Sequence, residues 1–92
     1  MSQSIMQREK ACYITGATEN LHKHHIFQGC RRKDSEKWGC WVWLRADYHN
    51  MSPHGVHFDK ALDTRLKREC QQEFEMLYGH EKFMEVFGKN YL

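Results

Sequence analysis

The sequence is notable first for what it lacks. It has one proline, Pro53, and it contains no internal repeat, low-complexity tract or flexible linker, so its 92 residues form one small domain. The four cysteines include no C-x-x-C pair, which favours reduced thiols over a disulfide framework. The net charge is only +2, which excludes a protein that coats nucleic acid by charge alone. Any contact with nucleic acid must therefore be local.

Targeting signals are also missing. No apolar stretch near the N-terminus has the length of a signal-peptide core, because Arg8, Glu9 and Lys10 interrupt it. The composition, 40% hydrophobic and 28% charged, is typical of a folded chain without a membrane span. We therefore expect a cytoplasmic protein with no membrane partner. The polar start predicts a flexible segment over residues 1–11 and a single domain over residues 12–92.

Two stretches predict β-strands. Residues 21–27 and 39–44 are short and apolar, and the second is rich in aromatic and β-branched side chains. The charged residues 30–38 between them are too many for a tight turn, so the pattern predicts a β-hairpin with a long polar loop. Alternation within the second strand places Trp41 and Trp43 on one face, where we expect them to cover a helix.

The rest of the chain is predicted to be helical. Ser52 and Pro53 have the form of an N-cap followed by proline, although Gly55 weakens this start and Asp59 is the alternative. Apolar residues then recur every three or four positions, which places them on one helix face: Leu62, Leu66, Cys70, Phe74 and Leu77.

Two glycines bound a second, shorter helix. Gly79 ends the first helix, and residues 80–87 form the next one, which stops at Gly88. The whole pattern predicts an α+β fold in which a β-hairpin with a long loop packs on a C-terminal helix and a short terminal helix follows.

Seven histidines are a surplus for a chain of this length. His24 and His25 lie in the first predicted strand, His49 follows the second, and His54 and His57 lie at or before the helix. Neutral imidazole is the commonest transition-metal ligand, and three ligands with one open position are typical of a catalytic metal site. Histidines at the ends of all three elements therefore indicate a metal site.

Several motifs resemble one known family. The HNH endonucleases of the ββα-metal, or His-Me finger, superfamily are similar to this chain in the run LHKHHIF, the strand WVWL, and the later YHN and VH. Small HNH-like proteins of phages and prophages are similar in the further motifs CYITG, RRKDSEKWG, GVH and FGKNYL. The resemblance covers roughly residues 12–92 and implies a ββα-metal finger.

The resemblance also implies roles for individual residues. It makes His24 the first metal ligand, His25 the general base and His49 the second ligand. The third ligand is then His57, with His54 as a reserve candidate, because residues three apart share a helix face.

Many family members orient the general base with an asparagine near the second strand. Asn50 is the candidate here, but it directly follows His49, so a backbone carbonyl or another side chain remains an alternative. Neighbouring residues of a strand point to opposite faces. A site shared by His24 and His25 therefore requires the strand to bend or end there.

The activity that the resemblance implies is metal-dependent hydrolysis of DNA phosphodiester bonds, with His25 activating water. One divalent ion is expected, Mg²⁺ in cells, although Zn²⁺, Mn²⁺ or Ni²⁺ suits imidazole better. We expect a phage accessory nuclease that works in the cytoplasm of a bacterial host.

Basic residues are concentrated in the first third of the chain. Residues 1–33 carry six Lys and Arg against two Asp and Glu, or +4, whereas residues 34–92 carry eight against ten, or −2. Lys23, Arg31, Arg32 and Lys33 are therefore the candidate contacts to DNA phosphates, which give affinity without base specificity.

Two other functions are compatible with this sequence. One is a non-catalytic ββα module that a metal ion stabilises and that binds DNA or a protein partner; the other is a histidine-rich domain without metal. Homodimerisation, or binding to a phage or host protein, is left open by the sequence.

Overall fold

A computed structural model describes residues 3–49 and 59–92 of the chain. Strands β1 (Leu21–His25) and β2 (Trp41–Arg45) form an antiparallel hairpin in which Leu21 lies opposite Arg45 and His25 lies opposite Trp41. The predicted hairpin is therefore present, within a small α+β fold. Its first strand ends two residues earlier than predicted, and its second strand is shifted towards the C-terminus.

The connection between the strands is not an irregular loop. A 3₁₀ turn over Gly29–Arg31 leads directly into helix α1, Arg32–Lys37. The sequence analysis missed this helix because five of its six residues are charged and only Ser35 is buried. A helix without an apolar stripe has no hydrophobic periodicity to detect.

Three helices follow β2 in the described residues. The short α2 spans Ala46–His49, α3 spans Lys60–Tyr78 and α4 spans His80–Phe87. Helix α3 starts at the later of its two predicted positions, because the side chain of Asp59 caps it by accepting from the backbone N–H of Leu62 at 3.1 Å. The end of α3 and both ends of α4 are as predicted. No helix in the described ranges combines the length and apolar character that crossing a membrane requires.

The core lies between one face of the hairpin and the helices. Phe27, which follows β1, packs against the rings of Phe83 and Phe87, with centroids 5.6 and 4.2 Å apart. The buried apolar side chains that form this core cluster are Cys12, Ile26, Phe27, Cys40, Val42, Leu44, Leu66, Cys70, Phe74, Phe83 and Phe87.

Leu77 is the exception on the predicted apolar face of α3. It is 59% exposed, because the buried stripe of α3 advances in steps of four and ends at Phe74. The next step of four brings Tyr78, and not Leu77, against the ring of Trp38 at a centroid distance of 5.1 Å. Leu77 therefore does not belong to the core, although its spacing places it with the apolar positions of α3.

The two tryptophans of β2 share a face, as predicted, and this is not the face that packs on the core residues of α3. Their ring centroids lie 5.5 Å apart, and their neighbours Val42 and Leu44 point to the other face, into the core. Trp38, which precedes the strand, is the tryptophan that contacts α3, through Phe74. The face that carries Trp41 and Trp43 is called the outer face of the hairpin below.

The second edge of β2 is covered by the N-terminal segment. Ile5 donates its backbone N–H to the Gly39 carbonyl at 2.9 Å, and Gln7 accepts through Oε1 from the backbone N–H of Trp43 at 2.6 Å. Gly39 has φ of +74°, and a Cβ there would lie 2.3 Å from the Gln3 carbonyl oxygen, so only glycine fits. Residues 3–7 belong to the segment that the sequence sets apart from the domain, yet they lie against an edge that would otherwise expose backbone groups.

Candidate functional site

Two consecutive histidines end strand β1, and the sheet separates their side chains. His24 is only 1% exposed and shares the core face with Val42, its partner in the register. His25 lies on the outer face opposite Trp41, and 12% of its side chain is exposed. The strand does end at His25, but the two imidazoles still lie on opposite faces.

Gln28 is the side chain placed to set the tautomer of His24. Its amide nitrogen lies 3.4 Å from Nδ1 of His24 and donates to the carbonyl of His25 at 3.3 Å. An imidazole that binds a metal through Nε2 carries its proton on Nδ1 and donates it to a neighbouring acceptor. In this arrangement Nδ1 of His24 is the acceptor, so in the neutral imidazole the proton lies on Nε2. A metal bound through Nε2 requires the opposite tautomer, so the contact with Gln28 does not by itself support a ligand role for His24.

A carboxylate lies beside His25. Nε2 of His25 is 3.1 Å from Oε1 of Glu36, and Lys23 donates to both oxygens of the same carboxylate, at 2.7 and 3.0 Å. The ammonium group of Lys23 also lies 4.2 Å from the centroid of the Trp41 ring. Lys23, Glu36 and His25 thus form a chain of contacts on the outer face, which we call the outer-face triad.

Helix α1 is fixed to the hairpin one residue before Glu36. The buried hydroxyl of Ser35 donates to the carbonyl of Cys40 and accepts from the backbone N–H of Phe27 at 3.1 Å. The backbone N–H of Cys40 donates in return to the Ser35 carbonyl at 2.7 Å. These bonds tie α1 to the ends of both strands. Glu36 is the next residue after Ser35, so its backbone position is fixed by them.

Sequence reasoning missed Glu36 altogether. It lies in a run of charged residues whose simplest interpretation is a solvated loop, and its partners are 11 and 13 positions away along the chain. The only usable signal was the need for a group that orients His25, which the sequence analysis assigned to Asn50 or left open.

Most of the predicted metal ligands lie outside the described residues. His49 is the last residue of α2, but its side chain is not described, and Asn50, His54 and His57 fall between the two described ranges. Among the side chains that are described, no group of three or more His, Cys, Asp or Glu residues could hold a metal ion. Because that search includes only His24 from the predicted set, the set stays a prediction.

The candidate phosphate contacts divide into two groups. Arg31 donates from Nη1 to the carbonyl of Val86 at 3.0 Å and lies 3.9 Å from Asp34, so it caps the C-terminal end of α4. Arg32 and Lys33 are exposed at the start of α1. Their side chains therefore remain candidates for contact with a phosphate backbone.

A cleft of about 610 Å³ opens at the other end of the hairpin. Arg45 lies on its wall and pairs with Asp47 at 3.4 Å. The cleft borders α2, the helix that ends at His49. Its lining residues are Asn20, Leu21, His22, Arg45, Ala46 and Asp47.

No family model, no curated protein and no solved structure matches this chain. The function therefore has to be inferred from the chain's own residues. The strongest local feature is the end of β1, where one imidazole is sealed in the core and the next reaches solvent beside a carboxylate.

Proposed function

We propose that this protein is a metal-dependent endonuclease of the HNH type that hydrolyses DNA phosphodiester bonds as a phage accessory nuclease. The observation that carries the proposal is the position of His25. Its imidazole lies at the end of β1 with 12% of the side chain exposed and is held beside the carboxylate of Glu36. A fixed imidazole with one face open to water is what a general base requires.

The reaction assigned to His25 is the activation of water. The imidazole takes a proton from water while the water oxygen forms a bond to phosphorus, and the bond from phosphorus to the 3′ oxygen breaks. The products that the resemblance implies are a 5′-phosphate and a 3′-hydroxyl. Removal of such a base costs roughly 10²- to 10⁴-fold in rate.

The metal ligands in this proposal are His24, His49 and His57, with His54 as the reserve candidate. A divalent ion, when bound, stabilises negative charge on the phosphate and on the leaving oxygen. His24 is assigned this role by the resemblance and by its position next to His25 at the end of β1. Asn50 is retained as a candidate catalytic residue on the resemblance alone.

DNA contact is assigned to exposed basic side chains near the outer-face triad. Arg32 and Lys33 start the same short helix that carries Glu36, so a phosphate backbone bound to them lies close to the end of β1. Arg31 stays a candidate as well, since its side chain is 45% exposed while Nη1 donates to the carbonyl of Val86. Such contacts give affinity that falls with salt concentration.

Plasmid cleavage tests the proposal. Wild-type protein is incubated with supercoiled DNA and Mg²⁺, Mn²⁺, Zn²⁺ or Ni²⁺, beside His25→Ala and the matched control His80→Ala. The wild type and His80→Ala are expected to nick the plasmid, and His25→Ala to be slower by roughly 10²- to 10⁴-fold. The proposal fails if the folded, metal-loaded wild type cleaves DNA with none of these ions.

A non-catalytic module is the second candidate function. The observation that favours it is the separation of His24 and His25, since an ion bound on the core face would brace the hairpin without involving His25. Chelation distinguishes the two functions. If EDTA unfolds the protein and no cleavage is detected, the ion is structural and the module interpretation holds.

A further inference from the structure

We propose that Glu36, braced by Lys23, is a positioning residue that fixes the tautomer and the orientation of His25. This inference rests on the proposed function, in which His25 is the base. The inference adds a statement about the arrangement of the outer-face triad, which can be tested without measuring DNA cleavage.

Glu36 determines which nitrogen of the His25 imidazole carries the proton. An ionised carboxylate can only accept hydrogen bonds, so the ring nitrogen that faces it at 3.1 Å must carry hydrogen. In neutral His25 this nitrogen is Nε2, and the lone pair is therefore on Nδ1. Glu36 thus selects Nδ1 as the atom that takes the proton from water.

The side chain of Glu36 is itself held in a fixed orientation. A glutamate side chain has three rotatable bonds, so a carboxylate with one contact would hold the imidazole loosely. Lys23 donates to both carboxylate oxygens, at 2.7 and 3.0 Å, and its ammonium group lies over the Trp41 ring. The bonds of Ser35 fix the backbone next to Glu36. Both ends of the glutamate are therefore held.

Lys23 has a different role in this arrangement from the phosphate contact that the sequence suggested. The sequence analysis placed it among the phosphate contacts, whereas its ammonium group lies within hydrogen-bond distance of Glu36. A lysine used in this way supports the base and adds little to DNA affinity. The triad therefore predicts separate effects of Lys23 on turnover and on binding.

Nitrogen NMR of the full chain tests the tautomer. At alkaline pH, where imidazole is neutral, two-bond ¹H–¹⁵N correlation spectra should show a pyrrole-type Nε2 and a pyridine-type Nδ1 for His25. Glu36→Gln replaces the obligatory acceptor by an amide that can also donate, so this preference should weaken or reverse. Asp34→Asn makes the same change elsewhere in α1 and should leave the His25 signals as in the wild type.

Cleavage and binding provide the second readout. Glu36→Gln should lower kcat by about 10- to 100-fold with KM changed less than about twofold, because an orienting partner acts on the bound complex. Lys23→Met should lower kcat and leave the salt dependence of DNA binding unchanged. Lys33→Met should instead reduce that slope by about 1, as the loss of a phosphate contact does.

The outcomes separate the two proposals. If Glu36→Gln leaves the His25 nitrogen shifts unchanged in the folded protein, the positioning role is overturned even where cleavage is seen. If the shifts respond but the wild type never cleaves DNA, the positioning role stands and the nuclease function fails. If Lys23→Met reduces the salt slope by about 1 with unchanged kcat, Lys23 contacts phosphate and its bracing role is overturned.

Discussion

Two glutamate–histidine pairs lie in different regions of this small protein. On the outer face, Glu36 lies 3.1 Å from His25 and also accepts from Lys23; between the last two helices, Glu75 lies 2.6 Å from His80 and also accepts from Gln71. The pairs are alike in chemistry. They differ in position, because His80 is 55% exposed in the first turn of α4 whereas His25 is 12% exposed at a strand end.

The second pair belongs to a network that holds the C-terminus. The buried amide of Gln71 donates to Glu75 and to Asn90, each at 2.7 Å, and accepts from the backbone N–H of Tyr91 at 2.8 Å. Hydrogen bonds from Gln71 and His80 outweigh the effect of burial and hold the pKa of Glu75 below its ordinary value. This network joins α3, α4 and residues 90–92.

A glutamate beside a histidine therefore does not by itself define a catalytic or a structural role. Glu75 and His80 connect two helices, and Gln71 joins the same carboxylate to the C-terminal residues, so this pair belongs to the packing of the helices. Glu36 and His25 lie where the strand ends, with a second donor and a fixed backbone behind the carboxylate. We therefore expect variants of the first pair to change activity and variants of the second network to change stability.

The largest effect on stability is expected for Gln71→Ala. The substitution leaves the Tyr91 N–H and the Asn90 amide oxygen without their buried partner, so the free energy of unfolding should fall by about 2 kcal/mol. Cleavage by the folded fraction should not change. Urea denaturation measures the loss, and Gln72→Ala, an exposed neighbour, is the control. Equal midpoints for the two variants would contradict the structural role of the network.

The Gln71 network could not be read from the sequence. A polar residue among the apolar positions of α3 gives no sign of burial, and its partners follow 19 and 20 residues later. Glu36 was missed for the same reason, because its partners lie on another element. The sequence does predict features that local chemistry determines, such as the stop at Gly88, where φ is +73°. It also offered Asp59 as the alternative start of α3, and the cap made by the Asp59 side chain confirms that alternative.

Of the candidate site, the sequence predicted the histidine pair and its place at the end of the first strand. It did not predict that His24 is sealed in the core while His25 has an acidic partner, since that depends on how α1 packs. Arg31 was interpreted as a phosphate contact because it lies in a basic run beside the predicted site. Its bond to Val86 depends on the docking of α4, which lies 55 residues further along.

Acid dependence of stability is the next, smaller effect. The pKa of Glu75 is lower in the folded protein than its ordinary value of 4.5. The contribution of Glu75 to the free energy of unfolding is therefore complete above pH 4.5 and is lost as the pH falls through the pKa of the folded state. Glu75→Gln should therefore lower the free energy of unfolding near neutral pH. Below pH 4.5 the difference in this free energy between the variant and the wild type should become smaller. Denaturation at a series of pH values, with Glu19→Gln as an exposed control, measures this. A gap that widens in acid would contradict the sign.

Plasmid cleavage by two matched variants tests whether the end of β1 is the reactive region. The rate of plasmid cleavage is compared for Glu36→Gln and Glu75→Gln, two identical changes in two glutamate–histidine pairs, at a temperature where both variants are folded. The account predicts that Glu36→Gln is slower than the wild type by about 10- to 100-fold and that Glu75→Gln stays within about twofold of it. Equal rates for the two variants, or no cleavage by the wild type, would contradict it.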